Sequence, residues 1–301
     1  MTRRATPLLF VLFALTCGLD CDGVDPTTLE DCRGLSEADA YACSEARFWV
    51  AFQTHRDLRI PVYEMYGDVL DAHAPGDPAL AVARGNVFFR RGQLGMAITL
   101  EEDVGADAID YITRVGPDFE EAEALDPDNF ILVSWKASMA IAVAHITGDD
   151  AEAVRLYDEA ERRIAADPLG NVPSISGTAI GLPLSTGVPQ RVIAAIDAWE
   201  CTGADFCERN TEHAPWALPG MAYHWAEHYA RVGDRDTTVA DLEVSRDAEG
   251  FERWPWRYLV DDALADPDAL LARFAERGEE GSAFDLMYAN QDYGCVICHA
   301  P

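Results

Sequence analysis

The stretch "ALAVARGNVFFRRGQLGMAITL", residues 79–100, decides the fold. Gly85, Phe88, Gly92 and Ala97 follow one another at spacings of 3, 4 and 5 residues, which is typical of a helix. A Gly or Ala at a helix crossing lets two backbones approach, and an aromatic ring one turn away fills the adjoining space. The stretch therefore predicts a helix that packs closely against a neighbouring helix.

Similar patterns of small and aromatic residues recur along the chain. They comprise Phe119, Ala122 and Asp126-Pro127; Gly148, Ala153, Tyr157, Ala160 and Asp167-Pro168; and Ala226, Tyr229 and Gly233. Together these stretches, over residues 78–250, resemble tetratricopeptide repeats, in which small residues mark the contact of two antiparallel helices and a proline closes the second helix. The resemblance implies an all-α superhelix of helix-turn-helix repeats that presents a concave surface to a peptide or protein. A general helical bundle is the alternative.

Capping signals place several helix starts and divide the chain. Ser36 with Asp39 resembles a capping box, and Asp77-Pro78 and Asp266-Pro267 each put a capping residue before proline. The predicted organisation is a signal peptide at 1–16, a linker at 17–35, a helical repeat domain at 36–265, and C-terminal helices with a tail at 266–301. Residues 168–190, rich in glycine, proline and serine, are predicted to be a loop.

The N-terminus, "MTRRATPLLFVLFALTCG", predicts export. Arg3 and Arg4 precede an apolar run from Leu8 to Leu15, which is too short to span a bilayer. The residues around Cys17 resemble a bacterial lipobox, which implies a lipid-anchored periplasmic protein. Thr16 departs from that pattern, and ordinary signal cleavage nearby is the alternative.

Export changes the interpretation of the other cysteines, because disulfides persist in oxidising compartments. Cys201 and Cys207 bracket the short turn "CTGADFC" and are predicted to be joined. Cys32 and Cys43 are the next pair, although Cys21 could pair with either of them.

The chain carries a formal charge of −30, and Lys136 is its only lysine. Such a field repels nucleic acid and anionic lipid, and it favours basic partners or cations. We expect no nucleic-acid partner and no membrane contact beyond the N-terminal anchor. An acidic, well-solvated surface is the simplest interpretation of the charge.

The last residues, "QDYGCVICHAP", contain the pattern Cys-x-x-Cys-His at 295–299. In an exported protein this pattern resembles the attachment site of c-type cytochromes, in which two thiols bind the porphyrin and the adjacent histidine binds iron. The resemblance implies one covalent haem c on Cys295 and Cys298, with His299 as the iron ligand. His224, His228 and Met287 are candidates for the sixth iron ligand. A disulfide or dithiol and a different metal site are the alternatives.

The segment "HWAEH" places His224, Glu227 and His228 on one helix, with the histidines one turn apart. This H-x-x-E-H arrangement could hold zinc, as in the inverted zincin metalloproteases, but it also suits packing residues of a repeat helix. His145 is predicted to lie near a helix C-terminus.

The sequence therefore predicts an electron carrier or redox sensor, with a redox partner or a peptide on the repeat surface, and no catalytic residue. The alternative is a haem-free scaffold that binds a protein partner or serves a solute-uptake system.

Overall fold

A computed structural model describes residues 31–54, 56–99, 108–164, 176–177, 179–198, 209–276 and 298. Within these ranges the fold is all-α, and no strand occurs. The helices are α1 Glu37–Trp49, α2 Arg59–Ala72, α3 Ala81–Thr99, α4 Ala108–Leu125, α5 Phe130–Ile146, α6 Asp150–Ile164, α7 Val188–Asp197, α8 Ala217–Val232, α9 Arg235–Asp247, α10 Arg257–Ala265 and α11 Pro267–Glu276. None of them is both long and apolar enough to cross a membrane.

Short turns of other helical types connect some of these helices. A π-helical segment, Val50–Thr54, extends α1, and 3-10 turns occupy Arg56–Leu58, Pro78–Leu80, Leu184–Thr186 and Phe251–Arg253. The stretch predicted as a loop at 168–190 is only partly one, because α7 begins within it at Val188. Gly187 takes a left-handed backbone conformation with φ 74°, and Pro189 then occupies the first turn, where its missing N–H has no helical partner to lose.

The predicted helix starts are confirmed, but one of them uses a different contact. The carboxylate of Asp77 accepts the Ala79 N–H at 2.9 Å, and that of Asp266 accepts the Ala269 N–H at 3.1 Å. Ser36 does precede α1, yet its hydroxyl donates to the Asp39 carboxylate at 2.5 Å and caps no backbone N–H. The predicted capping box is therefore wrong, because the two side chains satisfy each other.

Small residues do lie at the crossing of α3 and α4, as the opening stretch predicts. A Cβ atom at Gly92 would overlap the ring of Phe119, which is fully buried, and one at Gly85 would lie 3.1 Å from the Leu125 side chain. A larger residue at Gly92 would therefore clash with the side chains of α4. Helix α4 ends at Leu125, just before Asp126-Pro127, which also confirms the pattern.

Two further helix pairs pack in the same way. Ala153, Tyr157 and Ala160 of α6 are buried against α5, and Ala226 and Tyr229 of α8 are buried within the contacts of α7 to α9. The described chain is thus a series of helices packed in consecutive pairs, α3 with α4, α5 with α6, and α8 with α9, an arrangement compatible with a helical repeat fold.

A disulfide joins Cys32 to Cys43, with the two Cα atoms 5.6 Å apart. This pairing is the second one that the sequence predicts, and it ties the residues before α1 to that helix. Cys17, Cys21, Cys201 and Cys207 lie outside the described residues, so the predicted lipidation and the Cys201–Cys207 bond stay predictions.

A buried arginine holds the region around α8 together. Arg231 is 2% exposed, and its guanidinium donates to the carbonyl oxygens of Ile180 and Leu182, each at 3.1 Å, and of Phe274 at 3.4 Å. The contacts join α8 to the segment before α7 and to α11. They fix the position of residues 179–182 against α8.

Candidate functional site

Helix α8 carries the histidine pair that the sequence singles out. The helix ends at Val232, and Gly233 caps it with a left-handed φ of 80°. The Gly233 N–H donates to the Ala230 carbonyl, and the Asp234 N–H donates to the Tyr229 carbonyl at 3.0 Å. Because residues four apart lie on one face of a helix, His224 and His228 point in the same direction. The sequence prediction of a shared face is confirmed.

The two imidazole rings of His224 and His228 face each other. Their Nε2 atoms lie 3.3 Å apart, and the ring planes cross at 78° with centroids separated by 4.8 Å. His228 is 1% exposed, whereas a quarter of the His224 side chain is open to solvent. Burial, reinforced by the charge of His224, holds the pKa of His228 well below its ordinary value, so His228 is neutral at neutral pH.

Two further side chains complete the surroundings of His224. A carboxylate oxygen of Glu227, itself largely buried, lies 3.5 Å from Nδ1, and the Ser176 hydroxyl lies 3.3 Å from Nε2. A negative charge beside Nδ1 favours a proton on that nitrogen and leaves the lone pair on Nε2. The histidine pair, Glu227 and Ser176 together form what we call the histidine site.

Ser176 was not predicted as a site residue from the sequence. It lies in the stretch 168–190 that was predicted to be a loop, 48 residues before His224. The order Ser176, His224, Glu227 has the connectivity of a hydrolase triad. Ser176 is only 1% exposed, and its hydroxyl lies against the imidazole ring of His224. The ring of His224 is therefore held between Ser176 and Glu227.

Metal-binding capacity is limited to two protein donors in the part of the chain that the structure describes. No group of three or more His, Cys, Asp or Glu side chains converges there as metal ligands. The inverted zincin arrangement needs a third protein ligand, and the described residues supply none to the histidine pair.

The terminal motif touches the same helix through Cys298. The backbone N–H of Trp216, the residue before α8, donates to the Cys298 carbonyl at 3.1 Å. Cys298 is partly buried against the apolar cluster that includes Trp254 and Phe274. The indole nitrogen of Trp216 is buried and has no hydrogen-bond partner among the described residues. Cys298 is therefore docked at the start of the helix that carries the histidine site.

The structure describes only some of the other residues that the sequence singles out. Cys295, His299 and Met287 are not among the described residues, and their role stays a prediction. His145 lies next to the last residue of α5, as predicted.

Comparison with family models, with curated proteins and with solved structures gives no match for this chain.

Proposed function

We propose that the chain is an exported, lipid-anchored helical-repeat protein that carries one covalent c-type haem for electron transfer or redox sensing. The observation that carries the proposal is the Cys-x-x-Cys-His motif at 295–299 in a chain whose beginning has the features of an export signal. Cys295 and Cys298 would hold the porphyrin, and His299 would bind the iron. Bound haem supplies one-electron chemistry.

The surroundings of Cys298 fit such a group. Its backbone is held by Trp216, and its side chain lies against an apolar cluster, which is the kind of surface that covers a macrocycle and excludes water. The buried indole N–H of Trp216 is a hydrogen-bond donor beside this position that could be satisfied by an acceptor on the bound group.

The Cys32–Cys43 disulfide supports the exported location, because such bonds persist in oxidising compartments. Lipidation of Cys17 would then leave the protein at a membrane surface. In that case Cys17→Ser should move the protein from the membrane to the soluble periplasmic fraction, and an unmodified N-terminus on soluble wild-type protein would contradict this part of the proposal.

The sixth iron ligand stays a prediction among His224, His228 and Met287. A methionine would raise the reduction potential relative to a second histidine. An open position would leave iron able to bind small gases, which suits a sensor. The visible spectrum of the reduced protein, recorded with and without carbon monoxide, distinguishes these cases.

A haem-free scaffold is the second candidate, and the packing of consecutive helix pairs favours it. In this alternative the helix pairs form a repeat superhelix whose concave surface binds a protein partner, or a component of a solute-uptake system. The charge of −30 would select a partner with basic residues.

The deciding experiment is intact mass spectrometry of the protein from a host that matures other c-type cytochromes. We expect the mass of one haem per chain, impaired attachment in Cys295→Ser and Cys298→Ser, and none in the double variant. His299→Ala should give a mis-ligated or unloaded chain. Wild-type protein without added mass, beside a control cytochrome that is loaded in the same cells, would refute the haem proposal and leave the scaffold.

A further inference from the structure

We propose that His224 and His228 form a binding site for a divalent transition-metal ion of the Zn²⁺, Ni²⁺ or Cu²⁺ class. The site is separate from the terminal motif and does not rest on the proposed function. Imidazole nitrogen is the protein ligand that suits these metals, and two histidines four residues apart on a helix can bind one ion together.

The distance between the two nitrogen atoms carries the proposal. Zn–N bonds of about 2.0–2.1 Å that meet at a tetrahedral angle place their nitrogen atoms about 3.3 Å apart. The Nε2 atoms of His224 and His228 are 3.3 Å apart. A direct hydrogen bond between the two rings is the competing interpretation, and the same distance permits it. The hydrogen bond needs a proton on one of the two Nε2 atoms, whereas metal binding needs a lone pair on both, so the binding test below separates the two.

Glu227 provides the support that metal-binding histidines have in known sites. Its carboxylate lies 3.5 Å from Nδ1 of His224, on the side of the ring away from Nε2. A carboxylate at this position keeps the proton on Nδ1 and orients the ring, and such partners strengthen metal binding. Glu227 is only 6% exposed, so its charge is little screened by water.

The site is held by buried and hydrogen-bonded parts of the fold. His228 is buried on α8, and the buried Arg231, one turn later on the same helix, fixes the segment that carries Ser176. The Ser176 hydroxyl, 3.3 Å from Nε2 of His224, is placed to hydrogen-bond a water molecule on the ion. A quarter of the His224 side chain is exposed, so His224 is the member of the pair nearer to solvent.

Because the described residues supply two protein donors, the other coordination positions of the ion are filled by water, which can exchange. The chemistry fits reversible binding better than a permanent structural ion, since structural zinc sites use four protein ligands. We expect a site that loads and releases metal as the external concentration changes.

The test measures Zn²⁺ binding to the full chain by competition with a chromogenic chelator, and Co²⁺ binding by its visible absorption. To remove thiol ligands, the Cys295→Ser/Cys298→Ser double variant is measured beside the wild type. We expect one ion per chain in both. His224→Asn should weaken binding more than about tenfold, and Glu227→Gln by about tenfold or more. His73→Asn is the matched control, because His73 directly follows α2 and is far from α8 in the sequence. This variant should bind Zn²⁺ like the wild type.

His224→Asn is preferred to a change at His228 because the His224 side chain is partly exposed and its loss leaves the core filled. Zn²⁺ should also raise the unfolding temperature of the wild type and not that of His224→Asn. Equal Zn²⁺ binding by His224→Asn and wild type, or no binding up to about 1 mM Zn²⁺, would overturn the proposal. A haem spectrum that changes in His224→Asn would assign the pair to haem and overturn the separate site.

Discussion

Two arginines in different parts of the molecule are used in opposite ways. Arg91 on α3 meets the carboxylate of Asp118 on α4 in a two-point contact, with Nε 2.8 Å from Oδ2, and Asp118 is 2% exposed. Arg231 on α8 instead donates to three backbone carbonyl oxygens, two of them in the segment before α7. The first contact closes a pair of consecutive helices with matched charges. The second holds an irregular segment against a helix and thereby builds a site.

The largest expected effect comes from breaking the charge pair between α3 and α4. Arg91→Met leaves the Asp118 carboxylate buried without its partner, and removing one partner of a buried ion pair costs about 3–5 kcal/mol. Urea unfolding followed by circular dichroism at neutral pH measures the change. Arg155→Met, which breaks an exposed ion pair with Glu152 on α6, is the control and should leave the midpoint unchanged. Equal midpoints for both variants would show that the Arg91 pair is not buried in solution.

Removing the second arginine should lower the stability somewhat less than the first change, but it should also disturb the histidine site. Arg231→Met leaves buried carbonyl groups without their donor, at about 1–3 kcal/mol for each group that finds no other partner. We expect a loss of about 2–4 kcal/mol and weaker Zn²⁺ binding, because the segment with Ser176 is released. Arg235→Met, on the exposed start of α9, should change neither. Weaker binding without any loss of stability would contradict the role of Arg231 as a clamp.

The glycine crossing of α3 and α4 gives a smaller effect. Gly92→Ala puts a methyl group into the ring of Phe119, and overpacking of this kind costs about 1–3 kcal/mol, partly offset by about 1 kcal/mol of better helix propensity. Gly67→Ala on α2 is the control, since its new methyl group would meet only the end of the Arg91 side chain at 3.4 Å. In thermal unfolding, Gly92→Ala should have a lower unfolding temperature than Gly67→Ala. The reverse order would refute the close approach of α3 and α4.

The smallest expected effect is on the pH dependence of stability, through Asp241 on α9. Burial, together with the nearby Asp197, raises the pKa of Asp241 to about 6. Because this folded value exceeds the unfolded value, the folded state binds the extra proton, so stability is highest below about pH 4 for this group and falls as pH rises through 6. Asp241→Asn should therefore be more stable than wild type at pH 8, by about 1 kcal/mol after allowance for solvent screening.

The pH prediction is checked by urea unfolding of both proteins between pH 4 and pH 8. The difference between wild type and Asp241→Asn should shrink as the pH falls, because the wild-type carboxyl group becomes neutral. If the Asp241→Asn curve ran parallel to that of the wild type, the raised pKa would be wrong.

Sequence patterns predicted the features that depend on residues close in the chain. The glycines of α3, the starts of helices after Asp77 and Asp266, and the end of α4 follow from local geometry and were all confirmed. The shared face of His224 and His228 belongs to the same class, since helical periodicity alone determines it. The capping box at Ser36 failed because a side chain found another partner within one turn.

The sequence by itself determined an all-α chain, its helix crossings, and a terminal motif whose chemistry predicts haem. Only the tertiary structure decided that Ser176 lies beside His224, that Arg231 fixes the intervening segment, and that Cys298 docks at the start of α8. The physical reason is sequence separation. A helix forms from contacts within four residues, which a pattern can show, whereas these contacts join residues tens of positions apart and depend on how whole helices pack.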